Sequence, residues 1–567
     1  MRTINNPEQI SLFDPLGTLP TSHLNALADS PEGIFRMALL KVMPVDKLAQ
    51  KFSADMGAPS KELYAMAGLV LLKEFRNWTV EQAVDNYMWN TKVHLALNVN
   101  ESFPTLSERS FYRYLAFFAD EEEQLAKLAM ERVTSALIEI GELDISKQRL
   151  DSTHIFSNMA IFGRTRLMGV AIKRFLTQVK RHDRSAYALL DEDLRKRYEP
   201  SQGRLFADTT KGKSSEQYLH LRSQIAEEMH YLIDIFEQHE KLSKATSFLA
   251  LKRIFWEQCE VIDEKIAVRK KTGGRVMQNP SEPDGTYDGH KGAGFQAQFS
   301  ETCSEENEFQ VIASALPQTA ADSDQTSVVP VLDDLEANDR LPAAMLSDCG
   351  YNSDANVEAA AGRGVELVTP TKENSDLASH EDEIASSLTL DDFVFDEATE
   401  QVVACPAGIH PESSIYDEAT QKTKTVMPAA ACGSCDFSGE CPVRRTCGQY
   451  QLEHTGRDRR LASRRREDMT DAFRERYAKR AGIESTNSGI KQVTGIGQLR
   501  VRGMPRVSLA IYLKVAGWNT LRAASSEKIR GKVRMWLLEW RKAAEKWGDS
   551  APNTFLPLPE PLGRQVA

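Results

Sequence analysis

Apolar residues recur at helical spacing early in the chain, at Ala83, Val84, Tyr87 and Met88 and again at Phe111, Tyr112, Leu115 and Phe118. This spacing predicts short amphipathic helices. Thr79 with Gln82 and Thr105 with Glu108 have the form of capping boxes that would start them. Residues 1–135 therefore read as a helical domain. Arg109, Ser110 and Arg113 near a helix start fit a helix-turn-helix element, and a helical packing domain without groove contacts fits as well. The period changes near Gln148, where RLDSTHIF places β-branched and apolar residues around a single acid and reads as a strand. Residues 164–275 return to long, charged, helix-rich sequence, which Gly273–Gly274 and the Asn279–Pro280 cluster end. Strands are expected at 294–302, 309–315, 343–348 and 365–370, with helices at 327–338 and 353–363. That alternation predicts an α/β sheet with parallel pairing. Residues 375–460 break the pattern with acidic, cysteine-rich sequence. A helix over about 462–484 and a helical unit within 505–548 follow, and the proline-rich residues 549–567 read as a flexible tail.

At 567 residues the chain is too long for one core. Its 41% hydrophobic and 27% charged content is that of a water-soluble globular protein. The first residues lack a signal sequence, and the apolar stretch Ala65–Leu72 is far short of a bilayer span. A cytoplasmic protein without a membrane partner is expected. The net charge of -11 argues against a nucleic-acid partner only when summed over the whole chain. Residues 301–400 hold 24 acids and 3 bases, whereas residues 441–506 hold 16 Lys and Arg against 7 acids. A phosphate backbone meets local clusters, so this asymmetry permits DNA binding.

The basic segment carries the most informative pattern. Tyr477, Arg480, Glu484 and Lys491 fall within about 60° of one another at helical pitch. A face with one carboxylate, two cations and a phenol suits a metal-bound phosphodiester; it also suits a solvated salt-bridge stripe. Asp151 lies mid-strand, where an acid needs a partner. Asp348 lies at a strand end, where α/β sheets form ligand sites. With Glu484 they make a three-carboxylate set able to hold magnesium. Arg457, Arg459, Arg460, Arg464, Arg465 and Arg466 form a cluster for phosphate or for a solvated face, and Lys180, Arg181, Arg184 and Lys291 are further candidates. His154 and His290 read as structural. Five of eight cysteines lie in one segment: Cys405, Cys432, Cys435, Cys441 and Cys447. In a cytoplasmic chain they point to zinc, with Cys405, Cys432, Cys435 and either Cys441 or Cys447 as ligands and His410 a substitute. Cys259, Cys303, Cys349, Trp536 and Trp540 read as core.

Tyr477, Arg480, Glu484 and Lys491 match the Y-(2)-R-(3)-E-(6)-K signature of a group of bacterial insertion-sequence transposases. LDSTHI resembles the segment with that group's first aspartate and LSDCGYNSDAN the one with its second; EPDGTYDGHKGAGFQAQFSE and RVRGMPRV are similar to further segments. The chain thus resembles the DDE transposases over roughly residues 60–525. The resemblance implies an RNase H-like catalytic core over 145–510, interrupted by the helices at 164–275 and the cysteine-rich insertion at 375–460. It implies catalysis by Asp151, Asp348 and Glu484 with two Mg²⁺ (or Mn²⁺) ions. Tyr477, Arg480 and Lys491 would contact DNA. The substrates would be double-stranded element ends and target DNA, cut and joined by a homodimer at the nucleoid, with a hairpin end as one route. A metal-dependent nuclease without strand transfer and a catalytically inert DNA-binding protein are the other classes in view; all three acids are present, which disfavours the inert one. The signature segment also holds Gly482 and Ser485–Gly489, which are poor helix formers.

Overall fold

The computed structural model describes residues 1–548 apart from 9–15, 17–18, 102, 157, 160, 202–204, 207–214, 264, 372–387 and 397. The proline-rich end expected to be a tail lies outside the described residues. The chain is mixed α/β, built around one curled six-stranded sheet. Its strands are β1 (Lys147–Phe156), β4 (Thr286–Asp288), β5 (Gly292–Thr302), β6 (Ile312–Thr319), β7 (Ala344–Leu346) and β8 (Glu366–Val368); β2 (Cys259–Ile262) and β3 (Lys265–Val268) form a separate hairpin. The order is β4-β5-β1-β7-β8, and β6 pairs with β5 on the edge that β4 also uses.

The expected parallel pairing is corrected to a mixed one. β1, β7 and β8 are parallel, whereas β5 is antiparallel to β1, β4 and β6. The connections give the reason. A short loop joins β5 to β6 as a hairpin, which forces antiparallel pairing, while a helix crosses between β7 and β8. The helix-rich stretch 164–275 also holds the β2–β3 hairpin, which the sequence reading did not foresee.

Helices cover both faces of the sheet. On one, α1 (Leu63–Phe75), α2 (Val80–Trp89), α3 (Thr91–Leu97), α4 (Glu108–Phe118) and α5 (Leu125–Gly141) share a core with Ile155, Phe295, Ala297 and Phe299. The late helices α15 (Met504–Ala524) and α16 (Glu527–Gly548) belong to that same core, where Trp536 and Trp540 are buried as expected. On the other face, Leu150 packs with α10 (Val328–Ala337) and α11 (Asp354–Ala361). Leu150 and Ile155 lie an odd number of residues apart on β1, so the pleat sends them to opposite faces. The capping box at Thr79 and Gln82 forms as expected. The one at Thr105 does not: Ser107 caps α4, and the Thr105 hydroxyl accepts from Lys61.

The insertion at 164–275 has its own core. Helices α6 (Arg164–His182), α7 (Arg184–Leu189), α8 (Ser215–Phe236) and α9 (Thr246–Gln258) bury Phe175, Phe236, Phe248 and Phe255. The cysteine-rich segment forms a third small unit. In it β11 (Ser413–Asp417), β12 (Lys422–Met427), β14 (Gln449–His454) and β13 (Arg444–Thr446) make an antiparallel sheet, and β9 (Val394–Phe395) pairs with β10 (Val402–Ala404). The single helix expected over 462–484 is instead α12 (Gly456–Asp468), α13 (Asp471–Ala478), a 3₁₀ turn at Lys479–Ala481 and α14 (Gly482–Thr494). Thr470 caps a new helix at the first break, and the 3₁₀ turn at Lys479–Ala481 makes the second.

Candidate active site

The parallel register of β1 and β7 aligns Arg149 with Leu346. Two residues further along each chain stand Asp151 and Asp348, so one register brings two remote acids side by side. Asp348 leaves β7 into a turn in which its carboxylate accepts the Gly350 N–H at 2.8 Å. A Cβ at Gly350 would come 2.8 Å from that carboxylate oxygen, so glycine suits the tight turn.

Glu484 arrives from the first turn of α14, and Arg480 from the 3₁₀ turn before it. The Arg480 guanidinium reaches all three acids: Asp151 at 3.4 Å, Asp348 at 3.7 Å and Glu484 at 3.4 Å. The Asp151 carboxyl is pushed up to about 6, chiefly by burial and further by Asp348 and Asp324, against the lowering pull of Arg480. Glu484 remains exposed. Among the described residues no three His, Cys, Asp or Glu side chains stand close enough to share one ion. The Arg480 guanidinium is the shared counter-charge of the acids instead. An all-carboxylate donor set converging on one positive charge has the chemistry that a hard divalent cation requires.

α14 adds two further groups. Asn487, one turn beyond Glu484, donates from its amide to Asp151 at 3.0 Å. Lys491, two turns beyond, is half-buried within the field of Asp151 and Lys291, and burial holds its ammonium below the usual lysine range. Lys291 donates to the Ser152 hydroxyl at 3.0 Å. Lys491 therefore shares the face of Glu484 even though the segment is not one helix. Tyr477 sits on α13, half-buried, its ring stacked on Phe473 at 5.7 Å. One ring face is thus taken by a protein neighbour. His154 is buried against Phe156, and burial pushes its pKa down. His290 is exposed.

The glycines that looked unfavourable in the signature segment have packing roles. A Cβ at Gly482 would fall on the Arg149 guanidinium, and one at Gly489 would lie 2.6 Å from the Trp518 ring. Sequence reasoning missed Asn487 and Asp324. The helical spacing of Asn487 from Glu484 could have flagged it; Asp324 carried no local signal.

Three of the six arginines of the basic cluster on α12 are occupied by the protein's own acids. Arg460 pairs with Asp354 and Glu358, Arg464 with Asp354, and Arg466 with Asp391 and Asp392. Arg459 lies 4.4 Å from the Phe395 ring centroid. Arg457 is exposed, and Arg465 is half-buried.

All eight cysteines are free. Cys405 is buried in the core of the small β unit, with Cys432 and Cys441 packed against it. Burial raises the Cys432 thiol, and the nearby sulfurs of Cys405, Cys441 and Cys435 raise it further. Cys447 is exposed in a left-handed turn. His410 engages the Val403 carbonyl through Nδ1 at 2.8 Å. Cys259 and Cys303 are buried as expected, whereas Cys349, beside Asp348, is only partly so.

Residues 404–524 match the family model of a transposase DDE domain. The matched segment holds Glu484, the signature residues around it and all five clustered cysteines, and it ends with α15. No curated protein and no solved structure matches the chain. Among the described residues no helix is long and apolar enough to cross a membrane.

Proposed function

Starting from a chain that carries a transposase DDE domain, we propose that it cleaves DNA at the ends of an insertion sequence and joins them to target DNA. The core over 145–510 is read as RNase H-like, interrupted at 164–275 and 375–460, with 1–135 as a helical DNA-binding domain and 505–548 as closing helices. The observation that carries the proposal is the meeting of Asp151, Asp348 and Glu484, from three distant parts of the sequence, around Arg480.

Asp151, Asp348 and Glu484 would hold two Mg²⁺ ions, which when bound supply charge neutralisation and a nucleophile at neutral pH. A water oxygen attacks the phosphorus, loses its proton and displaces the strand's 3′-oxygen, which takes up a proton; the freed 3′-hydroxyl then attacks a second phosphodiester, loses its proton and displaces that strand's own 3′-oxygen. Arg480 turns from the carboxylates to the phosphate oxygens, for which its fork is matched. Lys491 flanks the same phosphate. Tyr477, half-buried against Phe473, would contact a nucleotide through the part of its ring that solvent reaches. Of the α12 cluster, Arg457 is the residue placed to meet DNA, while Arg459, Arg460, Arg464, Arg465 and Arg466 approach the backbone only as their protein partners allow. On α4, Arg109 and Arg113 are exposed and suited to DNA. Two element ends call for a homodimer.

Cys405, Cys432, Cys435 and Cys441 are proposed to hold a structural zinc ion. The four thiols lie near one another in one small unit, and tetrahedral zinc would draw them onto a single ion; the exposure of Cys447 argues against it as the fourth ligand.

The test is incubation of the protein in Mg²⁺ with DNA from both sides of its own coding region. Cleavage with joining supports transposition, whereas cleavage alone reduces the reading to a nuclease. The Glu484→Gln variant should bind that DNA yet fail to cut it; undiminished cutting would remove Glu484 from the site.

A further inference from the structure

We infer that the far end of α6 and the start of α7 form a docking site for the phosphodiester backbone of duplex DNA flanking the cut. The inference rests on the DNA-acting reading above. Thr177, Lys180, Arg181, Arg184 and Tyr187 line an open cavity of about 500 Å³ there. The side chains of Lys180, Arg181 and Arg184 are exposed. Among the described residues none of the three pairs with a carboxylate, in contrast to Arg460, Arg464 and Arg466 on α12. The acid nearest in sequence, Asp183, is committed elsewhere: its carboxylate accepts from the Ala186 N–H at 2.9 Å and the Ser185 hydroxyl at 2.6 Å, and meets His239 at 3.3 Å. Tyr187 gives the cavity a rigid wall, with the Lys180 ammonium 5.4 Å from its ring centroid.

A purely structural account explains only part of this arrangement. Cations in the last turn of a helix offset its macrodipole, which covers Lys180 and Arg181. Arg184 is the first residue of α7, where the dipole disfavours a cation, so its position needs another cause. Three cations without carboxylate partners, together with a phenol, form a surface for anionic oxygens and carry no groups arranged to read bases. α6 is 19 residues long, so its rise of about 27 Å carries these groups well away from its start. Among the described residues none of the three contacts Asp151, Asp348, Glu484 or Arg480, so they meet duplex beside the scissile phosphate rather than the phosphate itself.

The experiment measures the salt dependence of binding by the full-length chain to duplex DNA from its own flanks. It compares wild type, the triple variant Lys180→Gln/Arg181→Gln/Arg184→Gln, and the control Lys270→Gln/Lys271→Gln. The triple variant should lower the slope of log K against log salt by about 2–3, at roughly 0.9 for each phosphate that is no longer neutralised, and the control should leave it unchanged. An unaltered slope in the triple variant, or an equal fall in the control, overturns the docking site while the cleavage reading stands. A wild type that neither binds nor cuts this DNA overturns both.

Discussion

Arg149 and Gly482 are built for each other: the guanidinium of Arg149 occupies the space that a side chain at Gly482 would need. Arg149 cannot easily give way. It is held by the buried carboxylate of Glu301, with its Nε 2.7 Å away, and it donates to the Lys479 carbonyl at 3.1 Å. The pair thereby fixes the start of α14, two residues before Glu484, against β1. Gly482→Ala would gain up to about 1 kcal/mol of helix propensity but should lose more to overpacking, which costs about 1–3 kcal/mol. A lower denaturation midpoint together with slower DNA cleavage is expected. A Gly482→Ala change that stabilises the protein and leaves cleavage intact would show that Arg149 relaxes freely.

Asn487 holds Asp151 through a hydrogen bond while Arg480 holds it through charge. Removing such an orienting partner of a ligand group costs about 10–100-fold in metal affinity or activity. Asn487→Ala should therefore raise the Mg²⁺ concentration needed for half-maximal cleavage by that order, with DNA binding preserved. Titration of cleavage rate against Mg²⁺ reads this directly, and an unmoved half-saturation point would count against the assignment.

Lys514 ties three segments together. From α15 its buried ammonium donates to the carbonyls of Glu74 at 2.9 Å and Thr494 at 2.6 Å and to the Asn77 side chain at 3.3 Å. The Glu74 carboxylate lies 3.7 Å away. Lys514→Met should cost about 2–4 kcal/mol, because it strands buried acceptors. Burial pushes the Lys514 pKa down to about 8, below its unfolded value. Between about pH 8 and 10.4 the unfolded chain then keeps a proton that the folded one has released, so this group's contribution to stability rises with pH across that window. The stability difference between wild type and Lys514→Met, followed from pH 7.5 to 10.5 by chemical denaturation, should widen. A constant difference would mean that Lys514 titrates alike in both states.

The cysteine unit makes a metal-content prediction. The purified protein should carry about one zinc per chain, lost on replacing Cys432 or Cys435 by serine and retained in Cys447→Ser. Elemental analysis of the three variants decides it. Retention in all three would exclude the four-thiol site.

Local pattern carried much of this protein. Apolar and β-branched residues around Asp151 marked β1, and the Thr79 box marked a helix start. The spacing of Glu484 from Lys491 gave a shared face that holds because both lie on α14. Strand direction was not legible, since it depends on which connections are short hairpins and which cross over. The state of the arginines on α12 was equally hidden, because their acidic partners lie as much as 110 residues away in sequence.

What the sequence determined by itself was therefore the chemistry on offer: three carboxylates, a basic signature segment and a cluster of thiols, each placed on an element whose period a short window reveals. The tertiary structure decided which of those groups meet. Register between β1 and β7 set Asp151 beside Asp348, the packing of Arg149 into Gly482 delivered Glu484, and internal acids silenced several cations that looked available. Periodicity is a property of neighbours along the chain, whereas charge pairing and register arise between segments that only folding brings within a few ångströms.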